Sequence, residues 1–324
     1  MKQHFDEIDI VKGIAILFVL WHHSFILYPI YMLDIPWCQY AIAIHGTFFL
    51  NVFFLVSGYL FANSTPRSFV ANFRKKAGRL LVPYISYAII NLGIKLAFPS
   101  LVNRKVEGID DYIWNFLFHG GELWFVYTLF LIFLVWPPVL NKIGKNGISV
   151  SILLLVFATT IIPANLYGEI FLYSEFLFYS IFFLSGYLLK DIDRSILSNN
   201  RYFSFSALLF CFFCVFFVQT EFIPYVWRFI LAAIGCWFVW GLSFKLQKIT
   251  SVNNALSFCG KNSLAFYWLN GFALVPARVL IVKILHIHNT PLIAICIFLI
   301  CIICESVTIL FIRKFPYIKN IIGI

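Results

Sequence analysis

Lys12 and His23 stand eleven residues apart on the first apolar segment, in the run Asp9-Ile10-Val11-Lys12-Gly13-Ile14-Ala15-Ile16-Leu17-Phe18-Val19-Leu20-Trp21-His22-His23. Imidazole titrates close to neutral pH, which suits it to taking a proton from a hydroxyl. An ammonium group holds phosphate as a point charge. Eleven helical steps turn about 1100°, three turns plus about 20°, and climb about 16 Å. The cation and the imidazole therefore share one helix face, one near a membrane surface and the other well inside. A basic stripe on a spanning helix is costly in lipid and so marks a functional face. Each residue also has a plainer reading. Lys12 can snorkel as an interfacial anchor paired with Asp9, three residues earlier. His23 can be a packing histidine. His22 points about 100° away and reads as structural.

The elements that must position these groups are membrane helices. The chain has 324 residues, 62% of them hydrophobic and 12% charged, with mean hydropathy +0.91. Soluble domains sit near half apolar, so this is an integral, all-α membrane protein in which one domain fills residues 1–324. The first segment starts too early and lacks a small-residue cleavage site, so it reads as a retained span. Ten apolar stretches are expected to cross the bilayer, at 9–29, 42–62, 80–99, 122–140, 148–166, 170–189, 203–219, 224–243, 262–284 and 291–313. Breakers such as Pro36, Pro66, Pro163, Gly120-Gly121, Pro224 and Pro291 separate them, with the boundaries at 164–169 and 220–223 least marked. There is no internal repeat.

Lysine and arginine orient this count. With the N-terminus in the cytoplasm, the inner segments hold Lys2 and Lys12, Arg67 to Arg79, Lys142 and Lys145, Lys190 to Arg201, Lys245 to Lys261, and Arg313 to Lys319. These are 18 of the 24 basic residues. The outer loops keep Arg104 and Lys105, and Lys95, Arg228, Arg278 and Lys283 fall within spans. This bias supports ten spans with both termini cytoplasmic. The net charge of +10 therefore reads as membrane orientation and not as a nucleic-acid surface. The eight cysteines lie mostly in apolar runs; Cys211 with Cys214, and Cys301 with Cys304, read as small hydrophobes on one face and not as a metal site. His45 and His119 fall at outer span ends and read as solvated.

Further motifs follow in order. The second span carries Asn51-Val52-Phe53-Phe54-Leu55-Val56-Ser57-Gly58-Tyr59-Leu60, echoed weakly at Phe183-Leu184-Ser185-Gly186-Tyr187-Leu188. The next segment reads Phe73-Arg74-Lys75-Lys76-Ala77-Gly78-Arg79-Leu80-Leu81-Val82-Pro83-Tyr84, and the fourth span opens on Glu122-Leu123-Trp124-Phe125. Together with the Lys-x10-His pair, these resemble the acyltransferase-3 family of bacterial membrane proteins, most strongly over residues 5–140. Members acylate sugars of O-antigens, capsules, exopolysaccharides and peptidoglycan. The resemblance maps the family's Arg/Lys-x10-His onto Lys12 and His23, its basic pair before a proline onto Lys76 and Arg79, and its Phe-Phe-x-x-Ser-Gly element onto Phe53, Phe54, Ser57 and Gly58. Lys12 stands where many members have Arg, and Asn51 where many have Asp. Leu129 and Phe130 replace the paired acids of members with a fused extracytoplasmic domain, so the chain resembles the stand-alone branch.

The resemblance implies acyl transfer to a hydroxyl of a cell-surface glycan or its lipid-linked precursor, with acetyl-CoA as donor and no metal, in the bacterial inner membrane. His23 is expected as general base, and Lys12, Arg74, Lys75, Lys76, Arg79 and Ser57 as donor contacts. Asn51, Glu122 and Trp124 are the expected acceptor contacts. Simpler readings stand beside these. Residues 67–81 form a basic amphipathic helix on anionic lipid, with Phe69, Val70, Phe73, Ala77 and Leu80 toward the tails. Ser57-Gly58 permits close helix packing, and Trp124 belongs to an interfacial aromatic belt. Glu305, Arg278 and Arg228 are intramembrane charges that either pair with one another or line the acceptor cavity. The alternative function is polysaccharide export without acyl transfer; the sparse polar lining and the motif histidine favour chemistry.

Overall fold

The computed structural model describes residues 5–25, 32, 35–65, 68–99, 102, 106–161, 170–218 and 225–324. The boundaries at 164–169 and 220–223, and the cations Lys2, Arg67, Arg104 and Lys105, lie outside them. Every regular element among the described residues is helical: α1 (Asp6–Phe25), α2 (Pro36–Gly46), α3 (Phe49–Ala62), α4 (Phe69–Lys76), α5 (Val82–Ala97), α6 (Ile109–His119), α7 (Trp124–Leu140), α8 (Lys145–Ile161), α9 (Tyr173–Leu188), α10 (Arg194–Ser198), α11 (Asn200–Val218), α12 (Tyr225–Leu246), α13 (Thr250–Lys261), α14 (Ser263–Arg278) and α15 (Thr290–Ile312). Short 3-10 and π turns join several of these.

The chain is a polytopic membrane protein. Seven helical stretches among the described residues are long and apolar enough to span: Asp6–Phe25, Pro36–Ala62, Phe69–Ala97, Ile109–Leu140, Arg228–Leu246, Ser263–Ile284 and Thr290–Ile312. The other three expected spans fall on α8, α9 and α11. Faces of α8, α11 and α15 leave large apolar side chains such as Leu153, Phe212 and Ile303 exposed, as lipid contact requires.

Helix α1 is central. It packs on α3, α12, α13, α14 and α15, and Ile8, Ile10, Val11, Ile14, Ala15, Ile16, Val19 and Leu20 are all buried. A helix apolar nearly all round belongs inside a bundle. Two of the tightest helix pairs depend on glycine. A Cβ on Gly13 would lie 2.1 Å from the Leu256 carbonyl oxygen of α13, and one on Gly260 only 1.7 Å from that of Asp9. The same reciprocity joins α3 to α9. A Cβ on Gly58 would lie 1.8 Å from the Phe183 oxygen, and one on Gly186 1.9 Å from the Leu55 oxygen. Each glycine of this second pair meets the carbonyl three residues before the other. The two Ser-Gly-Tyr-Leu echoes thus pack against one another about a local pseudo-two-fold. Phe54 stacks on Tyr179 at 4.2 Å and Phe61 lies 6.2 Å from Tyr187, so the two helices run the same way.

Several expectations change. The basic segment continues through a π turn, Ala77–Leu81, into α5, so its helical path begins at Phe69 and not at residue 80. Phe69, Val70 and Phe73 are exposed as expected, but Leu80 is buried in the core and Ala77 packs against it. Cys214 and Cys301 are buried while Cys211 and Cys304 are exposed, so the members of each pair do not share one environment; all eight cysteines are free. Helices α6 and α13 occupy stretches read as loops. Helix α6 ends at Gly120 with φ 74°, and its last carbonyls accept from the Tyr84 hydroxyl at Phe116 and from the Tyr127 hydroxyl at Leu117, 2.9 Å.

Candidate functional site

A cavity of about 630 Å³ opens between α1, α3, α4, the π turn, α7 and the start of α14. Among the described residues six cations line it, Lys12, Lys75, Lys76, Arg79, Lys142 and Lys190, and no carboxylate does. Farther in, the lining turns apolar: Ile16 and Val19 from α1, Leu50, Phe53 and Val56 from α3, and Phe125, Val126 and Leu129 from α7. Ser57 and Tyr267 add hydroxyls. The space is therefore a polycationic vestibule leading to a greasy throat. Such a shape accepts a ligand with phosphates at one end and a slender, largely uncharged arm at the other.

Local sequence explains the vestibule. In a regular helix the ring of Pro83 would collide with the carbonyl of Arg79. The wide Ala77–Leu81 turn comes immediately before it, and π turns of this kind recur at functional sites. The turn leaves Lys75, Lys76 and Arg79 on the cavity side. Lys76 Nζ sits 3.2 Å above the Phe133 ring. Lys12 Nζ bonds Asp9 Oδ1 at 2.7 Å, and Lys261 lies 4.0 Å from the other oxygen of Asp9. Asn72 lines the cavity while 93% buried, and its Nδ2 has no hydrogen-bond partner. A buried amide left without a partner costs about 1–3 kcal/mol, so a ligand acceptor placed there is strongly favoured.

The structure brings together Lys12, Ser57, Lys75, Lys76 and Arg79. It leaves Arg74 exposed and outside the cavity. Lys142 and Lys190 join the set from loops read only as orientation signals. Asn72 carried no sequence signal at all.

His23 remains on the α1 stripe, since α1 is one unbroken helix from Asp6 to Phe25. Residues 12, 16, 19 and 23 follow one face, but the cavity ends at Val19, one turn and about 6 Å of rise short of His23. The His23 ring interacts with the Val19 carbonyl, and its Nδ1 is buried without a hydrogen bond. His22 packs edge-on against it, with ring centroids 5.7 Å apart. His22 Nδ1 in turn lies 3.0 Å from His45 Nε2. His45 is buried, not solvated, because α2 folds over this end of α1.

The expected acceptor contacts lie outside the cavity. Asn51 is buried; its Nδ2 donates to the Thr47 carbonyl at 2.6 Å, and its Oδ1 is unpartnered. Glu122 pairs with Lys95 and accepts from Asn91 Nδ2 at 3.0 Å. Its backbone carbonyl accepts from the Tyr267 hydroxyl at 3.3 Å. Trp124 packs against Tyr179 at 5.9 Å. Of the intramembrane charges, Glu305 is buried and accepts from Asn270 Nδ2 at 3.0 Å, Arg278 is buried, and Arg228 is exposed.

The acyltransferase-3 family model, described as an acyltransferase domain, matches residues 5–310, nearly the whole chain. The chain belongs to the acyltransferase-3 family. Neither a curated protein nor a solved structure matches it. Membership makes this protein a membrane acyltransferase that draws on an acyl donor. In this acyltransferase-3 chain the polycationic cavity and the histidine-bearing face belong to the same helix. Lys12, at the cavity, and His23, one turn beyond its end at Val19, both stand on the central helix α1.

Proposed function

We propose that this acyltransferase is an O-acetyltransferase of the bacterial inner membrane. It moves an acetyl group from cytoplasmic acetyl-CoA to a hydroxyl of a cell-surface polysaccharide or its lipid-linked precursor. The observation that carries the reading is the vestibule: six cations, no acid, and an apolar throat that follows α1 toward His23. Both chain ends then lie at the cytoplasmic face, where the basic segments gather.

In this reading Lys12, Lys76 and Arg79 hold the diphosphate, and the pantetheine arm runs past Ile16 and Val19. His23 accepts the proton of the acceptor hydroxyl as its oxygen attacks the thioester carbonyl. The C–S bond breaks, and the departing thiolate takes the proton back from the His23 imidazolium, leaving free CoA and a neutral imidazole. The throat must open by one turn beyond Val19 for His23 to meet the thioester. Asn51, Glu122 and Trp124 would meet the acceptor on the far side.

The test uses the purified protein in lipid nanodiscs with acetyl-CoA, comparing CoA release and acetyl transfer for wild type and His23→Ala. The variant should lose turnover while keeping wild-type CoA affinity and thermal stability. Full turnover in His23→Ala would remove His23 as the base. A well-folded wild type that binds no CoA would remove the donor assignment.

A further inference from the structure

Lys142 and Lys190 enter the cavity from the segments that follow α7 and α9. Lys142 follows the end of α7, and Lys190 follows the end of α9. The loops are neighbours, tied by the Lys145–Asp191 ion pair at 3.1 Å. Both lysines are exposed, whereas only 17% of the Lys12 side chain is accessible. Lys190 Nζ rests 5.3 Å from the Tyr187 ring centroid, and Lys142 has no ion-pair or hydrogen-bond partner among the described residues. The cavity therefore has two cation groups. An inner group, Lys12 with the half-buried Lys76, lies deeper than the outer group of exposed Lys142 and Lys190.

We propose that Lys142 and Lys190 form a second anion subsite that reads the phosphate monoester on the nucleoside ribose of the donor, separately from the diphosphate held deeper in by Lys12 and Lys76. This rests on the donor reading above. Burial sets the order of the two subsites. The pantetheine arm leaves the diphosphate directly, so the diphosphate belongs at the throat. The nucleoside, at the other end of the diphosphate, must lie toward the mouth. A monoester carries up to two negative charges at neutral pH, which suits two exposed lysines at the open rim. Asn72, on the cavity wall, offers its unpartnered amide to a nucleoside or phosphodiester oxygen. The arrangement makes the donor site selective for CoA over its 3′-dephospho form.

The test is calorimetric titration of the nanodisc-embedded protein with CoA and with 3′-dephospho-CoA. Two charge-assisted hydrogen bonds should make wild type prefer CoA by about tenfold or more. Lys142→Gln/Lys190→Gln should bring that ratio to about one while changing dephospho-CoA affinity by less than about threefold. Each single variant should lose part of the preference. Lys248→Gln/Lys314→Gln, which removes two exposed charges outside the cavity, should keep the full ratio. Equal affinities in wild type, or an undiminished ratio in the double variant and both singles, would overturn the subsite and leave the donor reading standing. A folded wild type that binds neither ligand would remove both.

Discussion

Lys12 and Val19 mark the two ends of the cavity's run along α1, and each can be tested at its own task. Lys12 is held by Asp9 yet still lines the cavity. Lys12→Gln removes one charge-assisted contact and should weaken CoA binding about tenfold in a calorimetric titration. The fold should tolerate it, because Lys261 stays near the freed carboxylate. Unchanged affinity would take Lys12 out of the donor site. Val19 stands where the throat closes, one turn before His23. Val19→Phe should cut acetyl transfer steeply while CoA binds as in wild type, since the anion end of the cavity is untouched. A variant with normal turnover would mean the thioester reaches its acceptor by another route. The Lys-x10-His spacing was legible in the sequence because helical geometry alone fixes it. Asn72 was not, because a lone asparagine in a basic segment looks like surface. Its burial depends on α7 lying across α4.

At the scale of elements, the glycine-mediated pairs decide how firmly the site is framed. Gly58→Leu would drive a side chain into the Phe183 backbone and should destabilise the protein by about 1–3 kcal/mol or more, read as a lower thermal midpoint. Gly186→Leu should do the same, since the contact is reciprocal. If either variant melts with wild type, the backbone approach at that crossing is looser than described. Trp136 Nε1 donates to Ser180 Oγ at 2.8 Å in the buried seam between α7 and α9. Trp136→Phe should cost about 0.6–2 kcal/mol, the usual worth of an interhelical hydrogen bond in a membrane bundle. Hydropathy disclosed the long spans because lipid demands continuous apolar stretches. It did not disclose α6 and α13, whose mixed polarity resembles that of loops. It also could not show that the two Ser-Gly-Tyr-Leu stretches face each other, because pairing is a tertiary fact. The π turn was foreshadowed only by Pro83.

For the molecule as a whole, the positive charges and the cavity argue for one orientation. If the vestibule opens to the cytoplasm, trypsin should cut near the exposed Lys142 and Lys314 only in inside-out vesicles. Right-side-out vesicles should protect both sites. Cleavage of the two sites from opposite sides would contradict a count in which both lie at the donor face. This orientation would let an acetyl group cross the bilayer while the nucleotide stays behind. Helices α8, α11 and α15 meanwhile turn exposed apolar side chains outward, as a lipid-facing surface requires.

The crossing of α3 and α9 also limits how the donor can get in. Helices that touch backbone to backbone through reciprocal glycines have no side-chain cushion to compress, so they neither roll nor slip without collision. They form the fixed jaw of the vestibule. The opposite jaw is built differently: there the wide π turn Ala77–Leu81 before Pro83, and not a glycine-to-backbone contact, joins α4 to α5.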